Sequence, residues 1–307
     1  MNKLDTKFYQ KLKTYNLTTI FIQLFVLGTV FVSVSCTEVI DMGYTTDFER
    51  LVVDGTLTDA DTVQYVRLSK INLDNSDTIM SPVSGASVVL SYQDNQVVFK
   101  ESDNEKGFYA APAGFKGQQG VDYTLNITNT GVKGTDNTNT YSAEEVMMQS
   151  VDIDSLVAEY LNNPHMGIAG FVLRIWFQDS PDFNYYLCKA WKNGVLLTDT
   201  LYEFQKFNDD VFNGDYLNGL NCYLLDDNKQ DEYVNKGDTV VLEFASINKS
   251  FFEYLNSAQK ESFGSNPMFG GPPANVSTNV TNGAVGIFRV YSITRKTLIM
   301  EKAERDK

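Results

Sequence analysis

The feature that most constrains the fold of this chain is a succession of short β-forming segments, each bounded by turn residues, that begins near residue 47. Segments of this length and spacing predict stacked antiparallel strands, and helical periodicity is nearly absent. The first part of this region therefore predicts a seven-stranded sandwich. Its predicted strands are residues 51–57, 63–71, 86–92, 96–101, 107–111, 123–128 and 140–148.

Two details complete the prediction for this first part. In the second strand, the alternation of side chains places Val66 and Leu68 on the inward face. The segment 129–139 is polar and poor in apolar residues, so we expect it to form a loop that projects into solvent and buries nothing. Residues 47–150 are thus predicted to form an N-terminal β-sandwich.

A second β-rich region follows a predicted boundary at residues 150–163. We expect a linker there that Asn162, Asn163 and Pro164 end, with His165 directly after them. The one helix predicted in it spans residues 250–263, where apolar side chains recur at helical spacing. We expect residues 151–300 to form a C-terminal sandwich-like domain with this short helix, and residues 301–307 to form a charged tail. The predicted strands of this region are residues 170–178, 185–192, 195–202, 239–246, 274–279 and 286–294.

The N-terminus has the layout of an export signal. A lysine-rich start precedes a mostly apolar run, residues 20–34, which is shorter than the roughly 20 residues of a transmembrane helix. The run ends in small residues directly before Cys36, which resembles a bacterial lipobox, although Ser33 stands where lipoproteins usually place Leu. We expect residues 1–35 to be a lipoprotein signal peptide, Cys36 to carry the lipid, and residues 36–46 to be a tether. A plain signal peptide and an uncleaved anchor helix are the alternatives.

Charge and composition narrow the function classes. The chain has 25 Lys and Arg against 39 Asp and Glu, a net charge of −14, which repels the phosphates of nucleic acids. The single histidine, His165, leaves little room for a Ser-His-Asp triad, a Cys-His dyad or a histidine-rich metal site. We therefore predict a binding protein without a cofactor, and no enzyme. A hydrolase with two carboxylates ranks last, because nothing places such a pair across a cleft.

Cysteines and aromatic residues supply further candidates. Cys188 and Cys222 lie in one β-rich half, and in an exported protein they form either a disulfide or two buried thiols. The 20 Phe, 17 Tyr and two Trp provide rings for a core and for an aromatic binding platform. Met268 and Phe269, between glycines and prolines, are a candidate recognition loop, with inward packing as the alternative.

A run of oxygen-bearing side chains, Asp226, Asp227, Asn228 and Asp231, is a weak candidate for Ca²⁺ binding. Calcium takes six to eight oxygen ligands, and closely spaced carboxylates can supply several of them. The run lacks the glycine and the terminal glutamate of an EF-hand loop. A solvated turn on an acidic chain has the same composition, so we favour a turn and predict no metal site.

Ten short motifs follow one another along the chain, at residues 51–55, 66–69, 82–88, 107–109, 123–127, 179–181, 184–187, 209–214, 266–267 and 279–288. In this order they resemble a family of Bacteroidota lipoproteins, the family of domain of unknown function 4249. The resemblance spans residues 36–295. Two of the motifs, Gly-Ala-x-Val at 85–88 and Gly-x-Tyr at 107–109, also mark transthyretin-like sandwiches. We therefore predict an all-β fold whose N-terminal part is an Ig-like or transthyretin-like seven-stranded sandwich.

The resemblance implies an exported lipoprotein, often encoded beside a TonB-dependent outer-membrane receptor, and it supplies no catalytic residues. We accordingly expect an outer-membrane protein held by its N-terminal lipid, on either the surface or the periplasmic side. Its expected role is that of a non-catalytic accessory to a TonB-dependent nutrient uptake receptor. A structural or adhesive surface lipoprotein is the alternative, and a hydrolase is the third reading.

Overall fold

The computed structural model describes residues 49–73, 78–262 and 276–301, which belong to one compact unit. Regular structure in these residues is almost entirely strand, so the all-β prediction is confirmed. The predicted signal peptide (1–35), the tether (36–46) and the tail beyond residue 301 lie outside the described residues.

The described strands are numbered in chain order. A helix, α1, spans Lys249–Ser262, and a 3₁₀ turn spans Leu201–Glu203. Among the described residues, no helix combines the length and the apolarity needed to cross a membrane. The strands are β1 Glu49–Thr58, β2 Tyr65–Leu73, β3 Thr78–Pro82, β4 Ser87–Tyr92, β5 Asn95–Glu101, β6 Phe108–Ala110, β7 Asp122–Thr128, β8 Tyr141–Val146, β9 Ile153–Asn163, β10 Ile168–Gln178, β11 Tyr185–Lys192, β12 Val195–Leu196, β13 Gln205–Asn208, β14 Tyr216–Asp226, β15 Thr239–Ile247 and β16 Val285–Ile299.

The strands form a large sheet and a small one. The large sheet has 13 strands, in the order β12-β11-β15-β16-β1-β2-β6-β5-β4-β7-β8, with β13 beside β11 and β3 beside β2. The small sheet has three strands in the order β14-β10-β9. The pairing of β1 with β16 is parallel, with Val53 beside Gly286, whereas the neighbouring pairs are antiparallel. The last strand therefore extends the sheet that the first strand begins.

The first core lies between two parts of the large sheet. Strands β16, β1, β2 and β6 supply one wall, and β5, β4, β7 and β8 supply the other. Val66 and Leu68 are fully buried here, which confirms their predicted inward direction. Burial of a side chain of this size contributes about 1.5–3 kcal/mol, so the alternation along these strands stabilises the sandwich directly.

The second core lies between the small sheet and strands β11, β15 and the end of β16. Phe177, Tyr186 and Phe244 form its aromatic centre, with ring centroids 4.8–5.8 Å apart. The predicted boundary at residue 150 falls between β8 and β9, where the chain passes from the first core to the second. Strand β16 contributes to both cores, through Phe288 to the first and through Leu298 to the second.

Several local predictions were wrong. The boundary segment forms the long strand β9, so His165 lies in the turn between β9 and β10 and not in a linker. Strands β3, β13 and β14 were not predicted, and residues 276–279 are not strand. The loop 129–139 is not fully solvated, because Val132 is buried in the first core. The predicted helix is confirmed, since α1 differs from it by one residue at each end.

The outer face of the large sheet carries α1. Phe251, Leu255 and Ala258 are the buried residues of this helix, and Phe251 and Leu255 cover Leu187, Ile287 and other apolar side chains of β11, β15 and β16. The helix covers only part of this face. The uncovered part, beside α1, carries the groove described below.

Candidate functional site

The two central cysteines lie on facing strands of the second core, Cys188 on β11 and Cys222 on β14. Both are buried free thiols, and a hydrogen bond links them. Burial and the neighbouring Cys222 raise the pKa of the Cys188 thiol well above its usual value, which keeps it protonated and unreactive. The contact joins the two sheets, so its role is structural. A disulfide between the two residues stays a prediction.

The calcium candidates lie at the turn after β14. Asp226 Oδ1 accepts hydrogen bonds from Asn228 N–H at 2.9 Å and from Asn228 Nδ2 at 2.8 Å. The Tyr160 hydroxyl donates to Asp227 Oδ2 at 3.1 Å, and Asp231 is exposed. The described ranges contain no group of three or more Asp, Glu, His or Cys side chains placed to hold a metal ion. Asp226 and Asn228 thus organise the turn after β14.

Two buried carboxylates, Asp179 and Asp209, organise the loops that flank β11. Asp179 accepts a hydrogen bond from the Tyr186 hydroxyl and another from Gly214 N–H at 2.9 Å. Asp209 accepts a hydrogen bond from Asn184 N–H at 2.8 Å. Burial raises the pKa of Asp179 above its usual value, although the Tyr186 and Gly214 hydrogen bonds oppose the shift. Both carboxylates thus act as acceptors that fix loop conformation.

The predicted lipid attachment residue, Cys36, and the candidate recognition loop residues, Met268 and Phe269, lie outside the described residues. Their roles stay predictions. Both tryptophans of the predicted aromatic platform lie within the described residues. Trp191 lines a groove on the outer face of the large sheet. The other, Trp176, lies on β10 of the small sheet.

We call this feature the cation–aromatic groove and define it by Lys189, Trp191, Tyr254, Arg289, Tyr291 and Arg295. Its volume is about 520 Å³, within the range of small-molecule sites. Strands β1, β2, β11, β15 and β16 form its floor, and α1 with the segment after β12 forms one wall. The groove is a concave, partly open depression.

Strand register brings the polar side chains of the groove onto one face. Alternate residues of a strand point the same way, so Arg289, Tyr291 and Arg295 of β16 share the outer face. Arg295 lies opposite Glu243 on β15, and Glu243 lies opposite Lys189 on β11. Lys189, Glu243 and Arg295 thus form a row that crosses β11, β15 and β16 perpendicular to the strands.

Glu243 is the buried centre of this row, with a side chain only 3% exposed. Its Oε2 accepts hydrogen bonds from Arg295 Nε at 2.9 Å and Nη2 at 2.7 Å. On the other side, Lys189 Nζ lies 3.5 Å from Glu243 Oε1. One carboxylate thus faces two cations, which leaves one positive charge uncompensated.

Arg289 lies at the β1 end of the groove, and its Nε and Nη2 groups are hydrogen-bonded to side chains of β1 and β2. It donates from Nε to Thr56 Oγ1 at 2.7 Å, and from Nη2 to Asp54 Oδ1 at 2.5 Å and to the Tyr65 hydroxyl at 3.1 Å. Burial disfavours its charge, but Asp54 and the neighbouring tyrosines outweigh burial and raise its pKa above the usual value. Arg289 is therefore a fixed cation with its own counter-ion.

Each groove cation also lies against an aromatic ring. Lys189 Nζ is 5.3 Å from the ring centroid of Tyr291, and Arg295 Cζ is 5.6 Å from that of Trp191. These are cation–π distances, and such contacts hold the long side chains in place. Because the cations are positioned before any ligand arrives, little conformational entropy remains to be lost on binding.

A second depression, of about 700 Å³, lies between β9 and the end of β16. Its lining is mostly apolar, and its charged lining residues are Glu159 and Glu301. It lacks the convergent hydrogen-bond donors that fix the orientation of a small ligand. The cation–aromatic groove has such donors, so it is the stronger candidate for a binding site.

The fold and the groove together define an all-β, sandwich-like protein with an open groove lined by cations and aromatic rings. The chain belongs to the family described as Domain of unknown function (DUF4249), whose model matches residues 37–297, and the predicted membership is confirmed. No curated protein matches the chain. The matched range includes every residue that lines the groove.

Proposed function

We propose that this protein is a non-catalytic binding protein, anchored in the outer membrane through a lipid on Cys36, that serves a TonB-dependent nutrient uptake receptor. The observation that carries the proposal is the cation–aromatic groove, because it combines charge, hydrogen-bond donors and ring surfaces in one concave site. The segment before Cys36 and the family resemblance support the location and the partner.

A lipid anchor makes such a site useful to a transporter. An anchored protein diffuses in two dimensions, which raises its effective concentration near the receptor and favours even weak capture followed by transfer. Stable anchoring needs more than one acyl chain, and a processed lipoprotein cysteine supplies them. The predicted tether, residues 36–46, sets how far the groove can reach from the membrane.

The test is affinity purification of the tagged protein from native outer membranes in mild detergent, followed by mass spectrometry of the bound proteins. The proposal predicts a TonB-dependent receptor in stoichiometric amount, and an acylated N-terminus at Cys36. With Cys36→Ala, we expect the protein to leave the membrane fraction and the receptor to be lost from the purified material.

Recovery of the wild-type protein from the membrane without a receptor would contradict the accessory role. Self-association of the purified protein in the same experiment would favour the structural or adhesive alternative. A Cys188→Ala variant is the matched control, because it removes a buried thiol of the second core instead of the predicted lipid attachment residue and should change neither location nor partner.

A further inference from the structure

We propose that the cation–aromatic groove binds a small organic acid in which a single carboxylate is attached to a ring. This inference rests on the proposed function, which it deepens by naming the ligand class. The first argument is local charge. Among the described residues, Lys189, Arg289 and Arg295 form ion pairs with two carboxylates, Glu243 and Asp54, so one positive charge is left for a ligand.

The second argument is unused hydrogen-bonding capacity. Lys189 Nζ lies 3.4 Å from the Tyr291 hydroxyl and 3.5 Å from Glu243 Oε1, both long for a charged donor with three protons. Within the described part of the chain, the hydrogen bonds of Arg295 use Nε and Nη2, and those of Arg289 also use Nε and Nη2. None of these hydrogen bonds uses the Nη1 group of either arginine, and both arginines line the groove together with Lys189. A carboxylate has two acceptor oxygens, which match charged N–H donors of this kind.

The third argument is the surroundings of the charge. The chain carries a net charge of −14, so anions are repelled at long range and a ligand must be recognised by local contacts. Glu243 and the Asp54 carboxylate disfavour a ligand with two or more negative charges. A monoanion fits this balance, and a phosphate dianion does not.

The fourth argument is shape. Trp191, Phe204 and Tyr254 supply apolar lining beside the cations, and a groove of about 520 Å³ accepts a body the size of one or two rings. Planar or puckered rings bury apolar area against aromatic side chains at little entropic cost. The structure thus favours a ring-bearing acid over a short aliphatic acid.

The test is isothermal titration calorimetry on the full-length protein, with two acid probes and their neutral counterparts. Sodium glucuronate is compared with glucose, and sodium benzoate with benzyl alcohol. We expect one acid to bind with a Kd below about 1 mM, and at least about tenfold more tightly than its neutral counterpart. The two pairs distinguish a sugar ring from an aromatic ring.

Two groove variants locate the binding. Lys189→Gln removes the least engaged cation and is expected to weaken acid binding at least about tenfold, because it deletes a charge-assisted hydrogen bond. Arg295→Gln keeps Glu243 paired with Lys189 and gives a second reading if the first variant folds poorly. Arg174→Gln is the matched control, since its partner Glu159 lies outside the groove and binding should change less than about twofold.

Equal affinity for an acid and its neutral counterpart would overturn the inference, and so would unchanged binding in both groove variants. Failure of both acids to bind, while a receptor still co-purifies, would reject the ligand class and leave the proposed function standing. Acid binding without a co-purified receptor would support the ligand class and reject the proposed accessory role.

Discussion

Gly286→Ala is expected to unfold the protein, or to lower its free energy of unfolding by at least about 4 kcal/mol. Gly286 has a φ of +96°, a conformation that side chains rarely adopt, and it lies beside Val53 in the parallel pairing of β1 and β16. A Cβ at this position would lie 2.0 Å from the Val53 carbonyl oxygen. Because backbone atoms block it, no rotamer change relieves the clash.

The effect is large because β16 is the strand that serves both cores. If β1 and β16 separate, the first core loses Phe288 and Val290, the buried side chains that β16 supplies to it. The measurement is thermal unfolding followed by circular dichroism. Gly194→Ala is the matched control, since Gly194 has a φ of +82° but its Cβ would meet nothing within 4 Å. We expect that control to cost about 1 kcal/mol, and equal losses in the two variants would contradict the account.

Glu243→Gln is expected to move stability and binding in opposite directions. It removes the counter-ion of Lys189 and Arg295, so we expect a loss of about 2–4 kcal/mol in the free energy of unfolding. The Arg295 side chain is 46% exposed, and solvent screening of this ion pair moves the expected loss toward the lower end of the range. The same change raises the net charge of the groove by one, so the affinity for an organic acid should rise.

Lower stability together with tighter acid binding would indicate a binding role for this cluster, because a purely structural cluster would change the stability alone. Chemical denaturation measures the stability, and calorimetry with the better acid probe measures the affinity. Glu159→Gln is the control, because its ion pair with Arg174 is exposed and should contribute less than about 1 kcal/mol. A Glu243→Gln variant with weaker acid binding would show that the carboxylate positions the cations more than it opposes the ligand.

The fold was largely predictable because most strands alternate clearly. β11 was predicted with its observed bounds, and β1, β4 and β5 to within two residues. β14 was missed because Asn218, Gly219 and Asn221 have the composition of a loop. In the structure those residues lie on a strand whose register against β10 shifts twice, and the buried side chains around them hold it in place.

The boundary residues show a different limit of sequence reasoning. Asn162, Asn163 and Pro164 were assigned to the end of a linker, whereas they end β9 and begin the turn that leads to β10. Turn residues between two strands of one sheet resemble turn residues between two domains. Only the pairing of β9 with β10 on the two sides of this turn separates the two cases.

The groove could not be predicted from the sequence, because its charged residues come from distant parts of the chain. Lys189, Glu243 and Arg295 become neighbours only through the register of β11, β15 and β16. A partial signal was present, since Arg289, Tyr291 and Arg295 are separated by even numbers of residues along one strand. Aromatic content indicated a platform, but the cations beside it were not singled out.

The central claim is that an acidic protein carries an open, positively charged binding groove, and quenching of Trp191 fluorescence tests it most directly. The chain has two tryptophans, so Trp176→Phe leaves Trp191 as the one reporter. At about 0.1 M salt the Debye length is about 10 Å, so local charge governs the approach of an ionic quencher. With acrylamide as the neutral reference, each ion's quenching constant is divided by its constant for free N-acetyltryptophanamide. The account predicts a larger ratio for iodide than for caesium, and a smaller difference after Lys189→Gln. A larger ratio for caesium, as the net charge of −14 alone would give, would contradict it.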